Sequence, residues 1–174
     1  FMENRVDNII KKKEIELIWL LAHPKIYTIG RTSKKKDFIQ KPRIPVHKTN
    51  RGGQITYHGP GQRVVYIMID LNKKKDIRYF INLLEKTSID TLKEFDVVAE
   101  SRKDRIGIWV TKLNNKYLKS EKKIGSIGIR IKKWITYHGL SINICPDLSY
   151  FKSINPCGIK DYEVTSLKDL GLNI

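Results

Sequence analysis

The 174-residue chain reads as a single α+β domain, residues 1–174, built on an antiparallel or mixed sheet, and three observations lead there. With 40% hydrophobic residues the chain can close one core that buries roughly 70% of its unfolded surface. One stretch, residues 77–95, carries apolar residues at helical spacing. The remaining apolar runs are short, β-rich and punctuated by glycine and proline.

Taken in order, residues 3–13 close a short amphipathic helix, and "IELIWLLAH" (15–23) reads as a buried strand that ends at His23-Pro24, because the residue before a proline is kept out of helical geometry. "PVHKTN", "QITYH" and "RVVYIMIDL" are three further strands, separated by glycine-rich turns. Asp76 then supplies an N-cap. Ile77, Phe80, Ile81, Leu84, Ile89, Leu92 and Phe95 follow as the packed face of a helix of about five turns. The second half, "RIGIWVTK", "KIGSIGIRI" and "WITYHGLSINI", is β-rich again. "TYHG" occurs twice, at 56–59 and 136–139, which matters only if both copies line one cleft.

Composition removes several classes of function. The best apolar run, "IELIWLLA", falls short of the roughly 18 residues of a membrane span and contains Glu16, so no membrane association is expected. The start is charged throughout and does not read as a signal peptide; a cytoplasmic protein is expected. Two cysteines, Cys145 and Cys157, make no disulfide framework, and no Cys/His cluster has zinc spacing, so no metal is expected. The net charge of +16 predicts attraction to a polyanion or an acidic protein. The lysine runs 11–13, 34–36, 73–75 and 122–123 are spread along the chain without aromatic interleaving. That pattern argues against nucleic acid and leaves an acidic protein partner or a solvated lysine-rich surface.

The chemistry concentrates in three places. "KTNRGGQITYHGPGQRVVYIMIDL" (48–71) sets four glycines around His58 beside a strand, which costs stability unless the bare backbone is used, so it reads as a binding loop. Cys157 sits between Pro156 and Gly158, on a turn, where a cysteine is either a small buried hydrophobe or a nucleophile. Cys145 ends the strand "LSINIC". A nucleophilic thiol needs a nearby cation or base. Lys123 opens "KIGSIGIRI" among apolar residues and bare glycines, where partial desolvation suits a base; on local sequence alone it reads first, with Lys122, as a charged turn.

"HPKIYTIGR", "RGGQITYHGPGQ", "KIGSIGIR", "WITYHGLSINICPDL" and "PCGIKDYEVTSL" occur in this order, and together they resemble the lipoyl(octanoyl) transferases over roughly residues 15–170. The resemblance implies a biotin/lipoate-protein-ligase-like catalytic domain with a mixed or antiparallel sheet and flanking helices. It places the thioester-forming cysteine on Cys157 and its lysine partner on Lys123. It implies an acyl pocket drawn from Arg51, Gly52, Gly53, Gln54, Ile55, Thr56, Tyr57 and His58, from Ser126, Ile127 and Gly128, and from Gly139, Leu140 and Ser141. The amides of Gly52, Gly53 and Gly59 are expected to face a developing charge.

The reaction implied is transfer of octanoate from octanoyl-acyl carrier protein to a lipoyl-domain lysine, in 2-oxoacid dehydrogenase complexes or the glycine cleavage H protein, through a cysteine thioester. Thioester exchange is near energy balance and amide formation runs downhill, so the resemblance implies no cofactor. An acidic carrier would account for the basic surface. The competing expectation is an ATP-dependent lipoate-protein ligase of the same fold, in which Cys157 is dispensable.

Overall fold

The computed structural model describes residues 1–34, 37–155 and 162–173. Among them the order is α1 (Met2–Ile10), β1 (Leu17–Leu21), β2 (Ile26–Ile29), β3 (Val46–Lys48), β4 (Thr56–His58), β5 (Gln62–Met68), α2 (Ile77–Lys93), β6 (Val97–Glu100), β7 (Ile108–Leu113), β8 (Lys116–Lys132), β9 (Ile135–Asn143), a 3-10 helix (Leu148–Ser153) and β10 (Glu163–Val164). Strands run β1-β5-β9-β8-β7-β6 in the large sheet, with β10 joining β8 in parallel. A small mixed sheet, β3-β2-β4, stands beside it.

Period-two alternation decides which side of the large sheet each residue serves. On β5, Val65 and Ile67 meet Phe80 and Leu84 of α2, joined there by Ile127 and Ile129 of β8 and Leu140 of β9. Tyr66 and Met68 face the other way and pack with Ile135 and Tyr137 under Val6 and Ile9 of α1. The α2 N-terminus forms as the sequence implies: Asp76 Oδ1 accepts from the Tyr79 amide at 2.8 Å. The periodic set is less uniform than expected, because Ile77 and Phe95 at its two ends remain exposed.

β1 corrects the sequence reading. "LIWLL" does form a strand, paired only to β5, but it is the sheet's edge, and Ile18 and Leu20 are 56% and 58% exposed. An apolar run reports a liking for burial and not whether a neighbour exists to supply it. Strands β2, β6 and β10 had no separate sequence signal.

The site depends on how β8 is flanked. β7 pairs with its first half, as far as Gly125. On the opposite edge β9 pairs from Gly125 to Lys132, and β10 takes over at Lys122 and Lys123. Lys123 therefore lies where one neighbouring strand stops and another starts. The edge that β7 leaves open beyond Gly125 is met by the loop before β4, whose Gly52 amide donates to Ile129 O at 3.1 Å. Among the described residues no helix is long and apolar enough to cross a membrane.

Candidate active site

Docking of the Gly52 loop on the β8 edge encloses a cavity of about 660 Å3, within the usual range for a small-molecule site. It is lined by Arg51, Gly52, Gly53, Gln54, Ile55, Thr56 and His58, by Ser126, Ile127 and Gly128, and by Gly139, Leu140 and Ser141. Three segments far apart in sequence thus meet around one space. Tyr57 is not on that wall. The alternation of β4 turns it into the cluster of Tyr27, Ile55, Phe151 and Ile154, where burial pushes its hydroxyl up to about 12.

The glycines of the loop serve packing first. A Cβ on Gly52 would stand 2.9 Å from Ile129 O, and Gly53 has φ +79°, a left-handed backbone that disfavours a side chain. The Gly52 amide, expected to face a developing charge, is instead committed to Ile129 O. Arg51 is bound inward as well. Its Nε donates to Thr28 Oγ1 (3.1 Å), Nη2 to Thr28 O (2.6 Å) and Nη1 to Gly52 O (2.9 Å), tying the loop to β2.

Four histidines line the cavity, His47 among them; three of them gather, and both "TYHG" copies contribute one. His58 and His138 line the cavity with His23, whose ring centroid lies 5.7 Å from that of His58 and whose Nε2 is 2.6 Å from Tyr66 Oη. By alternation His138 would point toward α2. Its backbone is left-handed, φ +59°, and the side chain instead stacks on Tyr137 with ring centroids 5.0 Å apart. Burial pushes His58 and His138 down to about 4, with the Arg51 charge adding to it, and burial lowers His23 too. At neutral pH His58 and His138 are therefore neutral imidazoles. His58 Nδ1 meets Gln62 Oε1 at 3.0 Å, Gln62 Nε2 donates to Asn143 Oδ1 at 2.9 Å, and Asn143 Nδ2 to Thr165 O at 2.9 Å. The Thr165 amide then donates to Lys123 O at 2.9 Å. A continuous chain of contacts so joins the cavity histidine to the lysine strand.

Lys123 itself is 5% exposed, in the middle of a strand, so the charged-turn reading is wrong for it. The register Trp109↔Lys123 brings it against Trp109, with Nζ 5.5 Å from the ring centroid and 3.5 Å from Ile106 O. It is not on the cavity wall; it stands three residues before Ser126 on β8, about 10 Å along the strand. Cys157 lies outside the described residues. Cys145 is exposed just beyond β9, where its backbone amide donates to Gly61 O at 2.9 Å. Gln54 Oε1 is buried without a hydrogen-bond partner among the described residues. Sequence reasoning did not single out Tyr66, Gln62 or Asn143; a tyrosine inside an apolar alternation and a polar residue at a strand end carry no local mark of a site. No group of three or more His, Cys, Asp or Glu that could hold a metal occurs among the described residues.

Residues 1–174 match the lipoyl protein ligase A/B catalytic domain family. The octanoyltransferase of Parvibaculum lavamentivorans is 51% identical over 171 residues, covering 98% of this chain and 76% of its own length. That of Bartonella quintana is 46% identical over 179 residues, covering 100% and 73%. Among solved structures, the bi-partite lipoate protein ligase of Thermoplasma acidophilum matches with TM-score 0.71 at 14% identity, over 99% of this chain and 71% of that one. A lipoate-protein ligase A bound with ATP matches with TM-score 0.65 at 16% identity, over 98% and 72%. At such identities the structural likeness shows the fold alone, and it is the fold the sequence implied.

Proposed function

This chain belongs to the lipoyl protein ligase A/B catalytic domain family and, at 46–51% identity over nearly its whole length, to the octanoyltransferases within it; from that premise we propose that it transfers octanoate through a thioester on Cys157, with Lys123 as proton carrier. The observation that carries the reading is Lys123, an amine sunk at 5% exposure in a strand that runs on into the cavity wall. A lysine is placed there at a cost unless the amine is used.

In the first half-reaction the Cys157 sulfur attacks the carbonyl of octanoyl-acyl carrier protein, and its proton passes to Lys123 Nζ. Collapse of the tetrahedral adduct breaks the bond to the carrier sulfur, which leaves with that proton. In the second, the ε-amine of a lipoyl-domain lysine attacks the acyl-enzyme. An amide forms, the Cys157 sulfur departs, and the amine's proton returns to the dyad. The cavity of about 660 Å3, with neutral His58 and His138 and with Val64 and Tyr66 on its wall, takes the alkyl chain, and Gln54 Oε1 offers an acceptor to a substrate N–H. Acidic acyl carrier and lipoyl domains in the cytoplasm are the partners this reading assigns to a chain of net charge +16.

Intact-protein mass spectrometry after incubation with octanoyl-acyl carrier protein, without ATP, tests it. One octanoyl adduct, lost in Cys157→Ala and discharged by a lipoyl domain, is the expected result. An adduct on the lipoyl domain that requires ATP would replace it with the adenylating ligase.

A further inference from the structure

Beside Lys123, β8 carries one residue more than β7. Ile108 stands opposite Gly125 and the next residue, Trp109, opposite Lys123, which leaves Ile124 as the extra residue of a bulge. Farther along β8, Ile127 and Ile129 pack under α2, and plain alternation would carry Lys123 to that same side. Ile124 goes there instead, into the cluster of Leu92, Ile108 and Val110, and Lys123 comes out on the other side, against Trp109. That is the side on which Ser126 meets the cavity.

The amine then lies in a slot. The ring of Trp109, 1% exposed, bounds it, and so does the backbone of Ile106 and Gly107, with Nζ 3.5 Å from Ile106 O. At Gly107 a Cβ would stand 2.7 Å from Lys123 Cε, 3.2 Å from Nζ and 3.0 Å from Gly125 O, and the φ of +147° is backbone that a side chain rarely adopts. Of these neighbours the lysine end is the one that yields, since Gly125 O belongs to the strand backbone. Carbon atoms settle at about 3.5 Å or more, so a methyl group at position 107 would drive Cε away by about 1 Å.

We infer that Gly107, acting with Trp109, is a positioning residue for acyl transfer: its bare backbone lets the amine of Lys123, turned to the cavity side by the Ile124 bulge, lie against Ile106 O and the indole ring. The inference rests on the reading of Lys123 as proton carrier. It assigns Gly107 no contact with substrate, only control over where the amine sits.

The test is a double-mutant cycle on the full chain, read as the rate of octanoyl adduct formation per folded molecule at saturating octanoyl-acyl carrier protein, with half-saturation and melting temperature measured alongside. Gly107→Ala should acylate about ten- to hundredfold more slowly, since a displacement near 1 Å costs about that much. Half-saturation should stay within about threefold, because carrier binding is not what the slot controls. Added to Lys123→Met, whose own rate is already low, Gly107→Ala should cost less than about twofold, because the amine it displaces is gone. Backbone strain at position 107 lowers the melting temperature in both backgrounds and so does not mimic that result. Should Gly107→Ala fail to fold, Trp109→Phe loosens the slot without entering strained backbone, and it is expected to slow acylation about three- to tenfold with Lys123 present and less than about twofold without it. A wild-type rate in folded Gly107→Ala, or a loss of equal size with and without Lys123 in whichever variant is used, overturns the inference and leaves the functional reading standing. A wild-type rate in Lys123→Met overturns both.

Discussion

His58 donates its Nδ1 hydrogen to Gln62 Oε1 across 3.0 Å. The direction follows from the rest of the amide, whose Nε2 is committed as donor to Tyr57 O at 3.2 Å and Asn143 Oδ1 at 2.9 Å, so that its oxygen must face the ring. Nε2 of His58 therefore keeps its lone pair. Gln62→Leu removes the acceptor for His58 and the donor for Tyr57 and Asn143 at once. It is expected to cost roughly 2–4 kcal/mol, because buried partners are left unpaired. Urea unfolding at pH 7 measures it, and a loss near zero would mean that water replaces the amide.

The same burial sets a pH limit on stability. His58 and His138 sit at about 4 in the folded chain and near 6.5 when unfolded. The unfolded state thus binds protons that the folded state refuses, and stability falls as pH drops from about 6.5 towards about 4. Each histidine should cost roughly 2 kcal/mol between pH 7 and pH 5. Replacing His138 by Gln should flatten that slope by about half, read from urea midpoints at the two pH values. An unchanged slope would show that His138 is hydrated and titrates normally.

What the sequence made legible follows from how local each cause is. The α2 helix was readable because Asp76 and the packed face act within a few residues, and β5 because its continuous apolar run packs on both faces. β1 was misread because its exposure depends on having no neighbouring strand, among the described residues, beyond its outer edge, which no residue in "LIWLL" records. The lysine pair Lys122-Lys123 looked like a turn because its burial comes from β7 and β10, both distant in sequence. The repeat of "TYHG" could be noticed but not weighed. Only the left-handed backbone at His138 turns the second copy into the cleft shared with the first.

Charge gives a prediction that separates recruitment from chemistry. Between about 50 and 500 mM salt the Debye length contracts from roughly 14 to 4 Å, which weakens attraction between exposed charges. With a net charge of +16 the Michaelis constant for an acidic carrier should rise about tenfold or more, while turnover at saturation changes far less. Steady-state kinetics with carrier-bound and free octanoyl thioesters make the comparison. If the carrier's constant ignores salt, the basic surface serves another purpose.

The two thiols should behave differently. Cys145 is exposed, and the contact its residue makes to Gly61 uses the backbone amide, so Cys145→Ala should keep transfer within about twofold and stability within about 0.5 kcal/mol. Cys157→Ala should abolish the acyl adduct. Equal losses in the two variants would remove Cys157 from the nucleophile's role.

Lys123→Met is the sharpest test of the amine, because methionine keeps most of the stem that packs against Trp109 and Gly107 and discards only the nitrogen. Methionine is apolar and close to lysine's stem in volume, so the substitution should leave the melting temperature within a few degrees of wild type. On the proposed reading the substitution removes the proton carrier, and octanoyl transfer should fall by about 10²–10⁴-fold, the usual contribution of a positioned base. Lys123→Arg makes the converse test: a nitrogen group remains, but the larger guanidinium must fit where a Cβ on Gly107 would already crowd the lysine stem, and it exchanges no proton near neutral pH. Transfer should fail there as well, with a lower melting temperature from overpacking. Activity retained in Lys123→Met at unchanged stability would assign the proton to another group, and His58, joined to the same strand through Gln62, Asn143 and Thr165, is the one the hydrogen-bond chain points to.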